Sequence, residues 1–235
     1  MNYAWAGATH LGRVRTNNED AFEPTADGVS SGPVVLAVAD GMGGHVAGEV
    51  ASRLAIDAAM SAKGSARERI LAGNDRVVEA VVADPSLAGM GTTLTLVVLG
   101  ADGELDLAHI GDSRAYQLRA GDLLQITSDH TLVAELVAEG RLDPKEVRAH
   151  PQRNLLTRVI GMGKQIEVEE FSDSAHDGDR LLLCSDGLSA MVDDPEIAEL
   201  LAAATPEEAV WTLVEAANRA GGEDNVTVIV VDVTA

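Results

Sequence analysis

The chain has a single cysteine among its 235 residues, so no disulfide can form within it. That fits a reducing compartment. Cys184 ends the apolar run Leu181-Leu182-Leu183-Cys184, where a buried inert thiol is expected rather than a nucleophile. Aromatic residues make up only 3% of the sequence, so a core must be built from Val, Leu, Ile and Ala. The hydrophobic content of 46% is ordinary for a globular protein and sufficient for such a core. Positive charge is also scarce: 17 Lys and Arg stand against 38 Asp and Glu, for a net charge of −21. Nucleic acid and anionic membrane both call for a cationic surface, so neither is expected as a partner. No stretch approaches the roughly 18 apolar residues of a membrane span. Met1-Asn2-Tyr3-Ala4-Trp5 lacks the basic-then-apolar start of a signal peptide. A cytoplasmic protein is expected, with one domain over 1–235 and a monomer as the default state.

What the sequence does have is acid at four distant places: Asn18-Glu19-Asp20, Asp40-Gly41-Met42-Gly43-Gly44, Ser185-Asp186-Gly187 and Asp224-Asn225. Val34-Val35-Leu36-Ala37-Val38-Ala39 leads into Asp40, and the Leu181 run leads into Asp186. Asp224-Asn225 precedes Val226-Thr227-Val228-Ile229-Val230-Val231. If those strands lie side by side, their carboxylates gather at one end of a sheet. Two bare carboxylates ~4 Å apart repel by about 1 kcal/mol in water and about 4 kcal/mol at an effective dielectric of about 20. Such a cluster is stable only with protons or cations in it. Oxygen donors with little His or Cys select Mg²⁺, Mn²⁺ or Ca²⁺ over Zn²⁺. The leading expectation is a two-metal hydrolase.

Periodicity fills in the rest. Residues 3–9 read as a short edge strand, 34–40 as a buried strand, and 92–99, 104–110 and 115–119 as an antiparallel meander. Helices are expected from His45, over 66–82 and near 131–139. Asp143-Pro144-Lys145-Glu146 carries an N-cap residue, Pro at the first helical position and Glu three after the cap. Residues 141–164 read as an exposed helical flap over the sheet end. Strands follow at 166–171 and 180–185, helices open at Asp194-Pro195 and Thr205-Pro206, and a strand closes the chain. This order gives an α+β layering in which helix pairs cover antiparallel sheets.

Taken together, the acidic strings carry a resemblance. Gly12-Arg13-Val14-Arg15-Thr16-Asn17-Asn18-Glu19-Asp20 resembles the first motif of the metal-dependent type-2C protein serine/threonine phosphatases, the PPM family. Asp40-Gly41-Met42-Gly43-Gly44-His45, Gly91-Thr92-Thr93, His109-Ile110-Gly111-Asp112-Ser113-Arg114, Leu183-Cys184-Ser185-Asp186-Gly187-Leu188 and Asp224-Asn225-Val226-Thr227 resemble the later ones, in family order. Each is weak alone; the ordered set spans nearly the whole chain. Met90-Gly91-Thr92-Thr93 and His150-Pro151-Gln152-Arg153-Asn154 resemble the compact bacterial branch.

The resemblance implies a central sandwich of two antiparallel β-sheets flanked by helix pairs, with a binuclear Mn²⁺/Mg²⁺ centre at one end. By matching position, Asp40 would bridge both ions and the Gly41 carbonyl would ligate one. Asp186 and Asp224 would complete the other ion's ligands, and Glu19 would bind the first directly or through water. Asp20 and Asn225 would support these ligands from behind. Asp112 with Asp186 matches a third-ion site, although Asp112 reads equally well as a hairpin-turn residue. The implied reaction is hydrolysis of phosphoserine and phosphothreonine on proteins by hydroxide held between the ions, with serine/threonine kinases and their targets as partners. Arg15 matches the phosphate-binding arginine, whose fork makes bidentate contacts that a lysine cannot. Other branches place a His, proposed as general acid, where this chain has Met42; His45, three residues on, or a metal-bound water is left to donate the proton, and no general acid is assigned.

Simpler readings stand beside these. Asp-Gly pairs are common turn formers. His109 reads as a satisfied core histidine, and His130 and His150 as surface or flap residues. A catalytically silent phosphopeptide-sensing module on the same scaffold is the alternative function, disfavoured by the complete ligand set. A serine hydrolase is disfavoured because Ser128-Asp129-His130 are neighbours in sequence and no G-x-S-x-G elbow is present.

Overall fold

The computed structural model describes residues 1–43, 47–202 and 205–235. Strands β1 (Asn2–His10), β2 (Asp20–Glu23), β3 (Gly28–Ser30) and β4 (Val34–Met42) open the chain. Helices α1 (Ala47–Ser61) and α2 (Ala66–Ala83) follow. Strands β5 (Gly91–Thr92), β6 (Leu94–Leu99), β7 (Glu104–Ile110), β8 (Arg114–Arg119) and β9 (Asp122–Gln125) form the middle. Then come α3 (Leu132–Ala138), β10 (Glu169–Ser174), β11 (Arg180–Cys184), α4 (Asp186–Ser189), α5 (Asp194–Leu201), α6 (Pro206–Arg219) and β12 (Val226–Thr234).

The strands make two antiparallel sheets. One runs β3-β1-β12-β11-β8-β9; the other runs β10-β7-β6-β4-β2, with β5 paired to β4. Alternation along each strand divides the core. In β12, Ile229, Val231 and Val233 face the opposite sheet, where they meet Leu36, Val38, Leu105 and Leu107. Val226, Val228 and Val230 turn the other way, onto Val210, Leu213, Val214 and Ala217 of α6. In β4, Ala37 and Ala39 turn onto Ala51, Ala55, Ile56 and Ala59 of α1. Small residues let the α1–α2 pair sit close to its sheet, which is how an aromatic-poor chain fills its interior. Each fully buried Leu, Ile or Val contributes about 1.5–3 kcal/mol. The α+β sandwich flanked by helix pairs is therefore the observed fold.

Four local expectations need correction. The first strand is not an edge: β1 lies between β3 and β12, with full register to β12 from Asn2↔Thr234 to His10↔Val226. The strand expected at 166–171 is β10, starting at Glu169, while Ile166 and Val168 pack on the α1–α2 core instead of joining the ladder. The run 92–99 is broken at Thr93, where β5 ends and β6 has not begun. The Asp40 strand also does not share a sheet with the other two: β4 belongs to one layer, β11 and β12 to the facing layer. The carboxylates meet at the common end of the sandwich, across its two layers. The helix start expected at His45 lies outside the described residues.

The flap is only partly a flap. Pro144–Ala149 is a short 3₁₀ helix with the capping box expected from Asp143 and Glu146. Its continuation is stitched down: the Ile160 N–H donates to the Thr92 carbonyl at 2.9 Å, and the Gly161 N–H donates to Asn74 Oδ1 at 3.0 Å. Among the described residues, no helix is long and apolar enough to cross a membrane.

Candidate functional site

A cleft of about 610 Å³ opens at the end of the sandwich. Arg15, Glu19, Asp40, Gly41, Asp112, Asp186, Asp224 and Asn225 all line it, as do Asn17, Met42, Glu49, Thr93 and Asn154. Of the site residues named from sequence, Asp20 lies behind the cleft, and His45 lies outside the described residues.

Each acid is held by the strand end that delivers it. Asp40 sits near the end of β4, where its N–H donates to Thr93 Oγ1 at 2.9 Å and its carbonyl accepts from the Thr93 N–H at 2.9 Å. Both backbone groups are fixed, so the side chain is aimed. Gly41 follows because nothing larger fits: a Cβ there would stand 2.1 Å from the Gly48 carbonyl and 2.6 Å from the Glu19 carbonyl. Glu19 is tied to the far end of the chain, its N–H donating to Asn225 Oδ1 at 2.8 Å. The Asn225 amide also donates to the Leu11 and Asn17 carbonyls, both at 3.0 Å, so it clamps the whole 11–19 loop. Asp186 begins α4 directly after β11. Asp224 precedes β12 and accepts from Arg15 Nη2 at 2.6 Å. Arg15 is half exposed, so this ion pair is solvent-screened and exchangeable.

Asp20 is paired in register with Asp40 across β2 and β4. One of its oxygens accepts from Ser185 Oγ at 2.8 Å and Thr227 Oγ1 at 2.6 Å. The other, Oδ1, is buried without a hydrogen-bond partner, and so is Asp186 Oδ1.

The electrostatics are those of a crowded, desolvated acid cluster. Burial pushes Asp20 up to about 7, against the hydrogen bonds from Thr227 and Ser185. Burial, then the charges of Asp20, Asp186, Asp112 and Asp224, hold Asp40 well above the usual carboxylate range. Asp112 is raised well above it by burial and by Asp186 and Asp129. Asp186 is raised by burial and by Asp224, with a hydrogen bond to Asp40 in partial relief. Arg15 is raised, chiefly by its hydrogen bond to Asp224. Four acids that resist ionisation, two orphaned buried oxygens and an all-oxygen donor set fit hard divalent cations. Cys184 is elsewhere and inert, its thiol fully buried and pushed up to about 12.

The family follows from comparison. A family model described as protein phosphatase 2C matches residues 6–218. The chain belongs to this family. It is 47% identical over 240 residues to the serine/threonine protein phosphatase PstP of Mycobacterium tuberculosis, covering 97% of this chain and 45% of that protein, so it spans about half of that relative's length. It is 37% identical over 235 residues to protein phosphatase PhpP of Streptococcus pneumoniae, covering 95% of this chain and 94% of that one. The crystal structure of M. tuberculosis PstP/Ppp matches with a TM-score of 0.91 at 43% identity, over 100% of both chains. A structure of the PstP catalytic domain in complex with two manganese ions matches with a TM-score of 0.88 at 42% identity, again over 100% of both.

Within this phosphatase 2C chain, sequence reasoning missed several supports. Thr93 pins Asp40, and Ser185 with Thr227 hold Asp20; all three stand inside the quoted motifs but carried no assigned role. Glu49, in the first turn of α1, accepts from Asn17 Nδ2 at 3.3 Å and faces the cleft, with only its place at a helix start as a signal. His109 is a fully buried, satisfied core histidine: Nε2 lies 3.0 Å from the Gly111 carbonyl and Nδ1 2.8 Å from Thr95 Oγ1. His130 is not a surface residue; it is 6% exposed.

Proposed function

We propose that this chain is a single catalytic domain over 1–235 that hydrolyses phosphoserine and phosphothreonine esters on proteins, using two Mn²⁺ or Mg²⁺ ions, with Asp112 placed where any third would bind. The reading is carried by one observation: side chains from β4, β11–α4 and the β12 approach converge on one cleft beside a half-exposed arginine. Asp40, the Gly41 carbonyl, Asp186, Asp224 and Glu19 would hold the two ions, and Asp112 with Asp186 any third. When bound, the cations supply Lewis-acid chemistry, making water a competent nucleophile near neutral pH and offsetting charge on the phosphoryl oxygens.

The rest is the work of the chain's own residues. Arg15 exchanges its Asp224 partner for the phosphate monoester and orients it through its planar fork. Asn225 holds the Arg15-bearing loop against the Asp224 turn. Asp20, Ser185 and Thr227 support the acid cluster from behind without lining the cleft. Met42 and Asn154 shape the rim, where the esterified residue of a protein substrate would lie. The relatives named above are serine/threonine phosphatases, which supports a phosphoprotein substrate for this chain. Serine/threonine kinases and their targets are the proposed partners, in the cytoplasm, with the chain acting as a monomer.

The test is hydrolysis of p-nitrophenyl phosphate and of a phosphothreonine peptide in Mn²⁺. Activity should vanish with chelator and in Asp186→Ala. Turnover that survives both defeats the proposal. Peptide binding without any turnover in excess Mn²⁺ would leave only the silent sensing module.

A further inference from the structure

The string Ser128-Asp129-His130 forms no catalytic triad, yet every member is engaged. Asp129 takes Arg114 in a fork, accepting from Nε at 2.8 Å and Nη2 at 2.7 Å. Ser128 Oγ donates to Glu169 Oε1 at 3.1 Å. His130 lies between three separate pieces of chain. Its Nδ1 accepts from the Gly111 N–H at 3.1 Å, and its own N–H donates to the Gly111 carbonyl at 2.8 Å. Its carbonyl accepts from the Thr157 N–H at 2.9 Å, on the continuation of the flap. Its Nε2 lies 3.2 Å from Glu169 Oε2 on β10.

These contacts fix the imidazole's tautomer. An amide can donate only to an unprotonated Nδ1, so the ring proton sits on Nε2 and is donated to Glu169. The ring also stacks on His109, with centroids 4.9 Å apart. Ligand atoms of His109, His130 and Glu169 lie within 4.8 Å of one another, close enough to share a cation. The hydrogen bonds argue against that use. Both ring nitrogens of each histidine already face partners, and the Arg158 guanidinium stands 3.4 Å from His130 Nε2.

The consequence lies one residue further on. Gly111 holds φ +112, and a Cβ there would stand 2.4 Å from Thr93 Cγ2, so the turn is wedged against the residue that pins Asp40. The next side chain is Asp112, in the cleft. We propose that His130, oriented by Glu169, is a positioning residue: it fixes the Gly111–Asp112 turn against the flap continuation and so sets where the Asp112 carboxylate meets a cation. The proposal rests on the metal-dependent reading above, because Asp112 matters through the ion it holds.

The experiment compares wild type with His130→Ala, His130→Asn and His130→Gln. Two measurements are made: Mn²⁺ titration by calorimetry, and hydrogen exchange of the Gly111 amide by NMR in metal-free protein. Removing a side chain that orients a ligand from behind costs about 10–100-fold in metal affinity. His130→Ala should weaken the Asp112-dependent Mn²⁺ step by that factor and speed Gly111 exchange by at least about 10-fold. His130→Asn presents an oxygen where Nδ1 stands and should restore both, whereas His130→Gln reaches toward Glu169 and should not. If His130→Ala fails to fold, the Asn and Gln pair carries the test. Equal behaviour of Asn and Gln, or wild-type exchange and Mn²⁺ binding in the Ala variant, overturns the proposal. A wild type that binds no Mn²⁺ overturns the metal-dependent reading instead, and Gly111 exchange still decides the clamp.

Discussion

Asp186→Asn should stabilise the metal-free protein while abolishing its response to metal. Asp186 lines the cleft with its Oδ1 buried and unpartnered, and its carboxyl is electrostatically coupled to that of Asp40. Two ionised carboxylates at contact distance repel by about 4 kcal/mol at an effective dielectric of about 20. Proton uptake relieves part of this, because burial and the neighbouring acids raise both groups. Asn removes one charge and offers Asp40 a donor, and a hydrogen bond to a charged group is worth about 1.5–3 kcal/mol. A net gain of about 2 kcal/mol corresponds to a Tm rise of roughly 4–8 °C for a chain of this size. The gain should shrink as pH falls, because a carboxyl raised above its ordinary value takes its proton early and the repulsion disappears. With Mn²⁺ at about 100 times its Kd, wild type gains about 2.7 kcal/mol, most of which the variant forfeits. Calorimetric melts in chelator and in Mn²⁺, near pH 7.5 and near pH 5, read all of this. An Asn variant that melts below wild type in chelator, or gains equally from Mn²⁺, refutes the reasoning.

Other outcomes follow from single contacts. Arg15→Lys keeps the charge but loses the fork, so KM for a phosphothreonine peptide should rise about 10-fold or more with a smaller change in kcat; an unchanged KM would remove Arg15 from phosphate binding. Gly41→Ala sets a methyl against two backbone carbonyls and should cost about 3 kcal/mol or more, read as a lowered denaturation midpoint. Burial and the neighbouring His130 push His109 down to about 4. A histidine with a depressed folded pKa contributes stability that is complete above about 6.5 and is lost as pH falls toward 4, roughly 3 kcal/mol in all. Its imidazole NMR signals should therefore stay flat from pH 7.5 to 5; a midpoint near 6.5 would contradict its burial.

How much of this was legible depended on whether the signal was local. β12 reads as a strand because both its faces are buried, one by α6 and one by the opposite sheet, leaving an unbroken apolar run. The capping boxes at Ser65, Asp143 and Thr205 are local chemistry, and the two opened by Pro were readable at once. β2, Asp20–Glu23, was not readable: half of it is acidic, and it is a strand only because β4 offers a ladder. β9 is similar, resting on β8. That β4 and β11 belong to different sheets is a long-range fact with no trace in either run. The acids themselves were visible from their places at strand ends and from the ordered motif set. His130 was misread because a polar string looks exposed, and only three-dimensional pairing brings it to Gly111.

The most direct measurement is anomalous scattering from crystals soaked in Mn²⁺. The account predicts peaks inside the cleft, two of them among Asp40, Gly41, Asp186, Asp224 and Glu19, with any third beside Asp112. Peaks only elsewhere, for instance between His109, His130 and Glu169, or an empty cleft at saturating Mn²⁺, would contradict it.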